Sequence, residues 1–435
     1  TKLLVNHGVK VYLFDENKDR DIEAIKEKTG DSELVQIELG ELGEDALSSS
    51  QLMVISPGIP VDAPFTDVVR NAGIPIWSEI ELAYHYGKGK IAAITGTNGK
   101  TTTTALVGEI VKAHNAKTIV VGNIGIPYTE LCDTTDDDSD TVAEISSFQL
   151  ETVIDFHPNV SAILNLTPDH LNRHYTFENY GNVKFSITKN QTMDDVTVLN
   201  YDDEHTRAMG EKAKDHCHVV YFSRLEKPAG GVYVEDGDII LEDGDKKINV
   251  LAIKDLKLMG AHNVENVLAA VGISYYMGVP VDVIRDVATS FKAVAHRIEY
   301  VDTVDGVAYY NDSKGTNPDA AIKGIQAMVA PTFLIGGGYD KGSEYDEWIE
   351  AFDGKVKWLV LIGQTAQKIA DCAKRHGFNS IIFEENLQDA VAYCHENAVD
   401  GDAVLLSPAC ASWGQFDNYE QRGDMFKEYV RSYKE

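Results

Sequence analysis

The first residues that could do chemistry lie in the stretch AAITGTNGKTTTT, residues 92–104, where an apolar strand runs into a glycine turn and a lysine. Gly96 and Gly99 permit a tight turn whose backbone N–H groups face inward, and a helix that begins near Lys100 adds its positive end. Such a turn binds phosphate. Lys100 is expected to reach the β- and γ-phosphates as a point charge, and the Thr101 hydroxyl to bind magnesium. Because the spacing GxxGKT is shorter than the usual GxxxxGK[ST], an ordinary strand-to-helix connection is the alternative.

The elements around this turn follow a repeated strand-and-helix rhythm. Short β-branched runs such as VKVYLF, QLMVIS, TIVVGN, TVAEIS and VSAILNL alternate with helix-length patterns. This order predicts an α/β protein with parallel sheets covered by helices. Residues 230–253 break the rhythm with period-2 alternation and two Asp-Gly steps, which predicts a small hairpin insertion. Boundaries near 87–89 and 290–295 divide the chain into three domains, which are 1–88, 89–294 and 295–435.

Composition limits the possible partners. The chain has 435 residues, of which 43% are hydrophobic, and its formal net charge is −30. This acidity would repel nucleic acid and anionic membranes, so we expect neither as a partner. No apolar run approaches the roughly 20 residues that span a bilayer, and we expect a cytoplasmic protein, most simply a monomer. Five cysteines without CxxC spacing indicate neither a zinc site nor disulfides.

The motifs that follow the glycine turn occur in a recognisable order. They are TGTNGKTTT, GNIG (122–125), EISSFQLE (144–151), LTPDHLNRH (166–174), GAHNVEN (260–266), HRIEY (296–300), NDSKGTN (311–317) and LSPACASW (406–413). In this form and order they resemble the Mur ligase family over almost the whole chain. The resemblance implies an N-terminal Rossmann-like domain for a UDP moiety, a central phosphate-loop ATPase domain and a C-terminal Rossmann-like ligase domain. The last would bind D-glutamate and part of the ATP.

The activity implied by the resemblance is that of an ATP-dependent amide ligase in peptidoglycan precursor synthesis. Its substrates would be UDP-N-acetylmuramoyl-L-alanine and D-glutamate, joined through an acyl phosphate. Two alternatives remain, a relative that adds a different amino acid or makes folylpolyglutamate, and a nucleotide-binding relative without activity. NDSKGTN and LSPACAS, with no DNP[RK] signature, favour the D-glutamate enzyme.

The implied chemistry brings two anions together and therefore needs a site for hard cations. Glu144 ends the strand TVAEIS, where such a fold presents an acid to metal. By resemblance His170 is a ligand of a second magnesium ion, and Lys184 carries a carbamate formed from CO2 that also binds metal. The expected metal ligands are thus Thr101, Glu144, His170 and Lys184, and the expected catalytic residues are Lys100, His170 and Lys184. Without the resemblance, Lys184 would be a solvated cation or an ion-pair partner on the same helical face as Tyr180.

The resemblance also assigns the remaining binding residues. Those expected to bind ATP are Gly96, Thr97, Asn98, Gly99, Lys100, Thr101, Thr102, Asn263, Asn266, Arg297, Asp312 and Lys314. Those expected to bind the UDP-substrate or D-glutamate are Asp15, Ser56, Gly58, Asn123, Thr316, Lys341, Ser412 and Tyr419. Because the chain opens at TKLLVNHGVKVYLFD, the first strand and helix of the N-terminal domain are expected to be missing.

Overall fold

A computed structural model describes residues 1–30, 32–123, 125–258, 260–292, 295–328 and 330–434, apart from the side chains of Asn172 and Asp319. Ile124 of the GNIG motif and the expected domain end at residue 294 lie outside these ranges. The chain divides into two compact units, Thr1–Phe291 and Lys292–Glu435.

The first unit alternates strands with helices from its start. Its described strands are β1 (Val11–Asp15), β2 (Val35–Leu39), β3 (Met53–Ile55), β4 (Ile76–Ser78), β5 (Lys90–Thr95), β6 (Thr118–Gly122), β7 (Asp140–Glu144), β8 (Val160–Ile163), β9 (Val196–Asn200), β10 (His218–Ser223), β11 (Gly231–Glu235), β12 (Asp238–Asp243) and β13 (Lys246–Ala252). Its described α-helices are α1 (Lys2–Asn6), α2 (Ile22–Thr29), α3 (Glu44–Ser49), α4 (Pro64–Asn71), α5 (Glu79–Tyr86), α6 (Lys100–His114), α7 (Tyr128–Leu131), α8 (Ser147–Leu150), α9 (Leu171–His174), α10 (Phe177–Phe185), α11 (Glu204–Ala213), α12 (Ala261–Tyr276) and α13 (Val281–Ser290).

Within the described part of this unit, β1 pairs with β2, β3 pairs with β4, and nine strands form one large sheet. The order of the large sheet is β13-β12-β11-β10-β9-β8-β5-β7-β6, and its neighbours from β11 to β6 are parallel. The expected hairpin is confirmed, since β11, β12 and β13 are antiparallel neighbours. It is not a separate insertion, however, because β11 continues the large sheet beside β10.

The central strands of this sheet are buried on both faces. All residues of β7, β8 and β9 are buried, as are Ile91–Thr95 of β5. Uninterrupted burial of this kind is typical of parallel strands that are covered by helices on both sides. Because β5, β7 and β8 run in the same direction, their carboxyl ends meet at one edge of the sheet, where ligands of such folds bind.

The second unit is built on one sheet with the order β14-β15-β19-β16-β17-β18 among its described residues. Its strands are β14 (Glu299–Val304), β15 (Val307–Asn311), β16 (Thr332–Gly336), β17 (Val356–Leu361), β18 (Ile381–Phe383) and β19 (Ala403–Leu406). Its helices are α14 (Pro318–Ala327), α15 (Asp346–Glu350), α16 (Ala366–Arg375), α17 (Leu387–Asn397) and α18 (Tyr419–Ser432). β14 is antiparallel to β15, and the other pairs are parallel. The predicted α/β class is therefore confirmed in both units.

The structure also describes the state of the cysteines and the length of the helices. All five cysteines are buried and free. Among the described residues, no helix is both long and apolar enough to cross a membrane.

Candidate active site

The predicted phosphate loop lies between β5 and α6. Gly96 and Gly99 adopt positive φ angles of 148° and 82°, and α6 begins at Lys100, as the sequence predicts. The Lys100 ammonium donates to the carbonyl oxygens of Gly96 and Thr97, both at 2.9 Å. Lys100 thus adds its charge to the N-terminus of α6, where the helix dipole already stabilises an anion.

Two asparagines fix this loop against its neighbours. Asn165 accepts from the Asn98 N–H at 2.8 Å and donates to the Asn98 carbonyl at 3.1 Å. On the other side, Asn266 of α12 accepts a hydrogen bond from Thr103 and donates one to Asn263. A Cβ on Gly99 would lie only 2.3 Å from Asn266 Oδ1, so α12 packs directly on the loop. The loop is thus held by hydrogen bonds from Asn165 on one side and by close packing of α12 on the other.

A group of oxygen ligands forms around the buried carboxylate of Glu144, at the end of β7. Thr101 Oγ1 donates to Glu144 Oε2 at 3.0 Å, and Asn123 Nδ2 donates to Glu144 Oε1 at 2.8 Å. Thr101 lies in the first turn of α6, and Thr102 follows it, partly exposed. The structure therefore brings together three residues that the sequence singled out, and their oxygens are ligands of the kind that Mg²⁺ prefers.

Lys184 of α10 is 1% exposed, so the solvated alternative is wrong. Its ammonium donates to the Gly96 carbonyl at 3.0 Å and to Thr95 Oγ1 at 3.3 Å, and it lies 4.8 Å from the centre of the Tyr180 ring. Burial, and then the nearby Lys100 cation, lower the pKa of Lys184 well below its ordinary value. Both ammonium groups donate to the same Gly96 oxygen. An uncharged amine at Lys184 relieves that repulsion.

The loop after β8 carries Asp169 and His170. His170 adopts a positive φ of 52° at the N-terminal end of α9, and its Nε2 lies 3.5 Å from Asp169 Oδ2. The ring packs against Phe148, with 4.8 Å between ring centres. Asp169 is the residue of this loop whose charge acts on Lys184. The expected role of His170 as a metal ligand stays a prediction.

A buried polar network lies behind this loop. His174 Nε2 is 3.0 Å from Ser147 Oγ, and burial lowers the pKa of His174 to about 4. Arg173 donates from Nε to Glu151 at 3.1 Å and from its terminal nitrogen to the Ile59 carbonyl at 2.7 Å. The network connects α9 with the SPGI loop, which the family resemblance assigns to the UDP-substrate.

The other residues expected to bind the UDP-substrate lie at the ends of short strands. Asp15 ends β1 and accepts from the Asn17 N–H at 2.9 Å and from Arg20 Nε at 3.0 Å. Ser56 and Gly58 form the turn after β3, in which the Ile59 N–H donates to the Ser56 carbonyl at 2.9 Å. Their positions after parallel strands suit a ligand site, and their roles stay predictions.

In the second unit, the motif NDSK begins at the end of β15. Asp312 is buried, and its carboxyl accepts hydrogen bonds from Ser407 Oγ at 2.7 Å and from the Ile298 N–H at 3.3 Å. The positive charge of Arg297 also acts on this carboxyl and favours its ionised form. Burial raises the pKa of Asp312 to about 7. The carboxyl therefore changes its charge near neutral pH.

The residues expected to bind D-glutamate lie on the loops around these strands, beside Lys314, which is expected to bind ATP. Lys314 lies 5.8 Å from the centre of the Tyr419 ring, and Lys341 lies 4.7 Å from that of Trp413. The Thr316 N–H donates to the Lys314 carbonyl at 2.8 Å, while Ser412 is buried. Burial raises the pKa of the Tyr419 phenol to about 12, so this hydroxyl stays protonated at neutral pH.

Several residues of these sites escaped the sequence reasoning. Asn165 follows a strand, as Asn123 and Glu144 do, and that position was the available signal. Tyr180, whose hydroxyl lies 3.1 Å from Thr97 Oγ1, shares a helical face with Lys184. Arg422 is fully buried although no pattern distinguishes it from other lysines and arginines.

The fold and the loop together define a phosphate-loop α/β protein, with a lysine at the helix start and an acidic strand end beside it. The chain belongs to the Mur ligase family. Residues 1–78 match the family description "Mur ligase MurD-like, N-terminal domain", 94–274 match "Mur ligase middle domain", and 296–410 match "Mur ligase, glutamate ligase domain".

Similar proteins extend over nearly the whole chain. A protein of Lachnospira eligens named UDP-N-acetylmuramoylalanine–D-glutamate ligase is 56% identical over 430 residues, which are 99% of this chain and 95% of that protein. Proteins of the same name are 51% identical in Lachnoclostridium phytofermentans, covering 100% and 95%, and 48% identical in Clostridioides difficile, covering 97% and 92%.

Solved structures share the fold. UDP-N-acetylmuramate-alanine ligase MurC from Thermotoga maritima has a TM-score of 0.57 at 19% identity and covers 99% of this chain and 95% of its own. MurF ligase from Thermotoga maritima, solved with ADP, has a TM-score of 0.56 at 17% identity, covering 89% and 97%. At this identity the likeness shows the fold alone.

Proposed function

We propose that this chain is an ATP-dependent ligase that joins D-glutamate to UDP-N-acetylmuramoyl-L-alanine during peptidoglycan precursor synthesis. The observation that carries the proposal is the 56% identity, over 99% of the chain, to a protein named for that reaction. The match to the glutamate ligase domain description supports the choice of amino acid.

The reaction proceeds in two balanced steps. A carboxylate oxygen of the substrate's alanine attacks the γ-phosphorus of ATP, so that an acyl phosphate forms and ADP leaves. The amine of D-glutamate then attacks the acyl carbon, the amide bond forms, and phosphate leaves as the nitrogen loses a proton. Lys100 and the N-terminus of α6 stabilise the negative charge on the transferring phosphoryl group.

Magnesium fits the residues around Glu144. The Thr101 hydroxyl and the Glu144 carboxylate, 3.0 Å apart, are hard oxygen donors on two adjacent elements. Bound Mg²⁺ would neutralise charge between the γ-phosphate and the attacking carboxylate. Thr101 and Glu144 would hold one ion, and His170 with a modified Lys184 a second. Asn123 orients Glu144 through the hydrogen bond from its Nδ2, and the family resemblance assigns it to the muramoyl substrate.

Lys184 suits modification by CO2. Its burial and the Lys100 cation favour the neutral amine, which is the form that attacks CO2. In that step an N–C bond forms, one proton leaves the nitrogen, and the product carries a negative charge on two hard oxygens. An anion beside Lys100 replaces the repulsion of two cations with attraction.

The second unit supplies the remaining polar groups. Arg297, Asp312 and Lys314 would bind nucleotide. Two loops, one after β15 and one after β19, carry Thr316 and Ser412, whose hydroxyls suit the carboxylates of D-glutamate. Lys341 adds a cation for the same purpose, and Tyr419 a phenol that stays protonated.

Product formation tests the proposal directly. Purified protein is incubated with MgATP, UDP-N-acetylmuramoyl-L-alanine and one amino acid, and both ADP and the UDP-linked product are measured. We expect ADP and product in equal amounts with D-glutamate, and background levels with L-glutamate, L-lysine or diaminopimelate. Turnover with another amino acid would identify a different Mur ligase. The absence of turnover with every amino acid would identify an inactive relative.

A further inference from the structure

The side chain of Arg422 is fully buried in the second unit, although arginine is among the residues most often exposed. It lies in the first turn of α18 and contacts two loops that are far apart in sequence. Nε donates to Ser313 Oγ at 2.9 Å, one terminal nitrogen to the Ser313 carbonyl at 2.7 Å, and the other to the Cys410 carbonyl at 3.2 Å. A buried guanidinium is tolerated only when its N–H groups find such partners.

The two loops are those that carry the proposed ligand groups. Ser313 lies between Asp312 and Lys314, after β15. Cys410 lies two residues before Ser412, after β19. The rigid, planar fork of a guanidinium fixes the distance and angle between its acceptors, which a flexible single donor does not.

Two further contacts join the start of α18 to the surrounding loops. Ser313 Oγ donates to the Tyr419 carbonyl at 2.8 Å, so the acceptor of Arg422 is itself tied to α18. At Gly423, a Cβ would lie 2.1 Å from His296 Nδ1, so the helix backbone packs directly on the adjoining loop. The N-terminal turn of α18 is thus in direct contact with both loops.

We infer that Arg422 is a positioning residue for the ligase reaction: it holds the loop of Ser313 and the loop of Cys410 at a fixed separation, so that Thr316 faces the same substrate as Ser412. The inference rests on the proposed function and deepens it. In this role Arg422 acts through the two loops that it joins. Its guanidinium also lies near enough to Asp312 to influence the carboxyl's titration, together with Arg297 and the Ser407 hydroxyl.

Two substitutions distinguish the effect of the guanidinium's several N–H donors from the effect of its positive charge. Arg422→Lys keeps a cation but offers one nitrogen, so it cannot donate to Ser313 and Cys410 in the same geometry. Arg422→Met removes the charge as well. Arg431→Met, at an exposed position of the same helix, is the matched control.

For Arg422→Lys we expect KM for D-glutamate to rise about tenfold or more, with a smaller fall in kcat, because binding groups lose their alignment before chemistry does. For Arg422→Met we expect the same change in KM. The ¹³C NMR titration midpoint of the Asp312 carboxyl should then rise, since a cation that stabilises the carboxylate is lost. Arg422→Lys should leave that midpoint near the wild-type value, and Arg431→Met should change nothing.

The results separate positioning from simple stability. A merely structural arginine would lower the melting temperature and the active fraction, but leave KM of the folded protein for D-glutamate unchanged; that result overturns the inference. If Arg422→Met does not fold, an unchanged KM in Arg422→Lys also overturns it. If the wild-type protein makes no D-glutamate product, the proposed function fails. The role of Arg422 is then still decided by two measurements, the Asp312 titration and the affinity for D-glutamate measured by calorimetry.

Discussion

The two units hold their charged groups in different ways. In the first unit, Lys100 and Lys184 both donate to the main-chain oxygen of Gly96, so the loop backbone places the cations. In the second unit, the side chain of Arg422 connects two loops through Ser313 and Cys410. A site placed by the backbone depends on local glycines and can be read from a motif. A site placed by a distant side chain depends on tertiary structure.

The largest effect on activity should come from the first unit, where the loop backbone places the cations. We expect Lys100→Ala to lower kcat by about three orders of magnitude, because charge stabilisation of the transferring phosphoryl group is lost. The melting temperature should stay near the wild-type value, because the ammonium donates to the carbonyl oxygens of Gly96 and Thr97 in its own loop. Lys112→Ala, at an exposed position of the same helix, is the control for activity and stability. Near-normal turnover in Lys100→Ala would mean that the loop does not bind the reacting phosphate.

Substitution of Lys184 tests whether this lysine acts as a cation or, as its carbamate, as an anion. We expect Lys184→Ala to lose activity by about 10²-fold or more, and added formate or acetate to restore part of it by supplying a carboxylate to the vacated space. The exposed Lys189→Ala should remain active and show no such response. ¹³C-labelled bicarbonate should give a carbamate NMR signal in wild type only. Full activity in Lys184→Ala would remove the carbamate from the mechanism.

Asp312 provides the corresponding test in the second unit. Its pKa is raised from 3.8 to about 7, so between these values the folded chain holds a proton that the unfolded chain has lost. The free energy of unfolding should therefore fall as pH rises through that window, by on the order of a few kcal/mol. Asp312→Asn should remove this slope in urea unfolding at pH 5 and pH 8, while the exposed Asp371→Asn should keep it. A slope that persists in Asp312→Asn would assign it to another group.

The smallest effect should come from the contact between the loop and α12. Gly99→Ala places a methyl group 2.3 Å from Asn266 Oδ1 at a φ of 82°. Gly278→Ala has a similar φ of 96° with nothing within 4 Å of the added carbon. Backbone strain should cost each variant about 1 kcal/mol, and only Gly99→Ala should lose a further 1 to 3 kcal/mol to the clash, together with ATP affinity. Equal melting temperatures and equal ATP affinities would show that the loop tolerates the shift of Asn266.

Local patterns made the first unit largely predictable. Strand, glycine turn and helix lie within one short stretch, so the start of α6 at Lys100 and the position of Glu144 at the end of β7 were predicted correctly. The burial of Lys184 was not predicted, since helical spacing favoured a solvated cation and the family resemblance implied only its modification. The individual roles of these residues in binding and catalysis stay predictions.

Long-range contacts set the limit of sequence reasoning. Arg422 and Ser313 are separated by 109 positions and Asn165 and Asn98 by 67, and no periodicity links residues so far apart. The hairpin shows a similar limit on a smaller scale. Alternation predicted its strands, but that β11 lies parallel to β10 and extends the large sheet depends on pairing that a local pattern does not contain.

The position of β13 at the end of the large sheet has a consequence for solubility during synthesis. A long edge strand offers unpaired backbone groups to other chains and can seed aggregation. Here the exposed end of β13 carries Lys246 and Lys247, and Arg285 donates to the carbonyl oxygens of Asn249 and Val250 farther along. Positive charges and an occupied edge both disfavour the addition of a foreign strand. The polar end of the hairpin thus protects a sheet whose central strands are buried along their whole length.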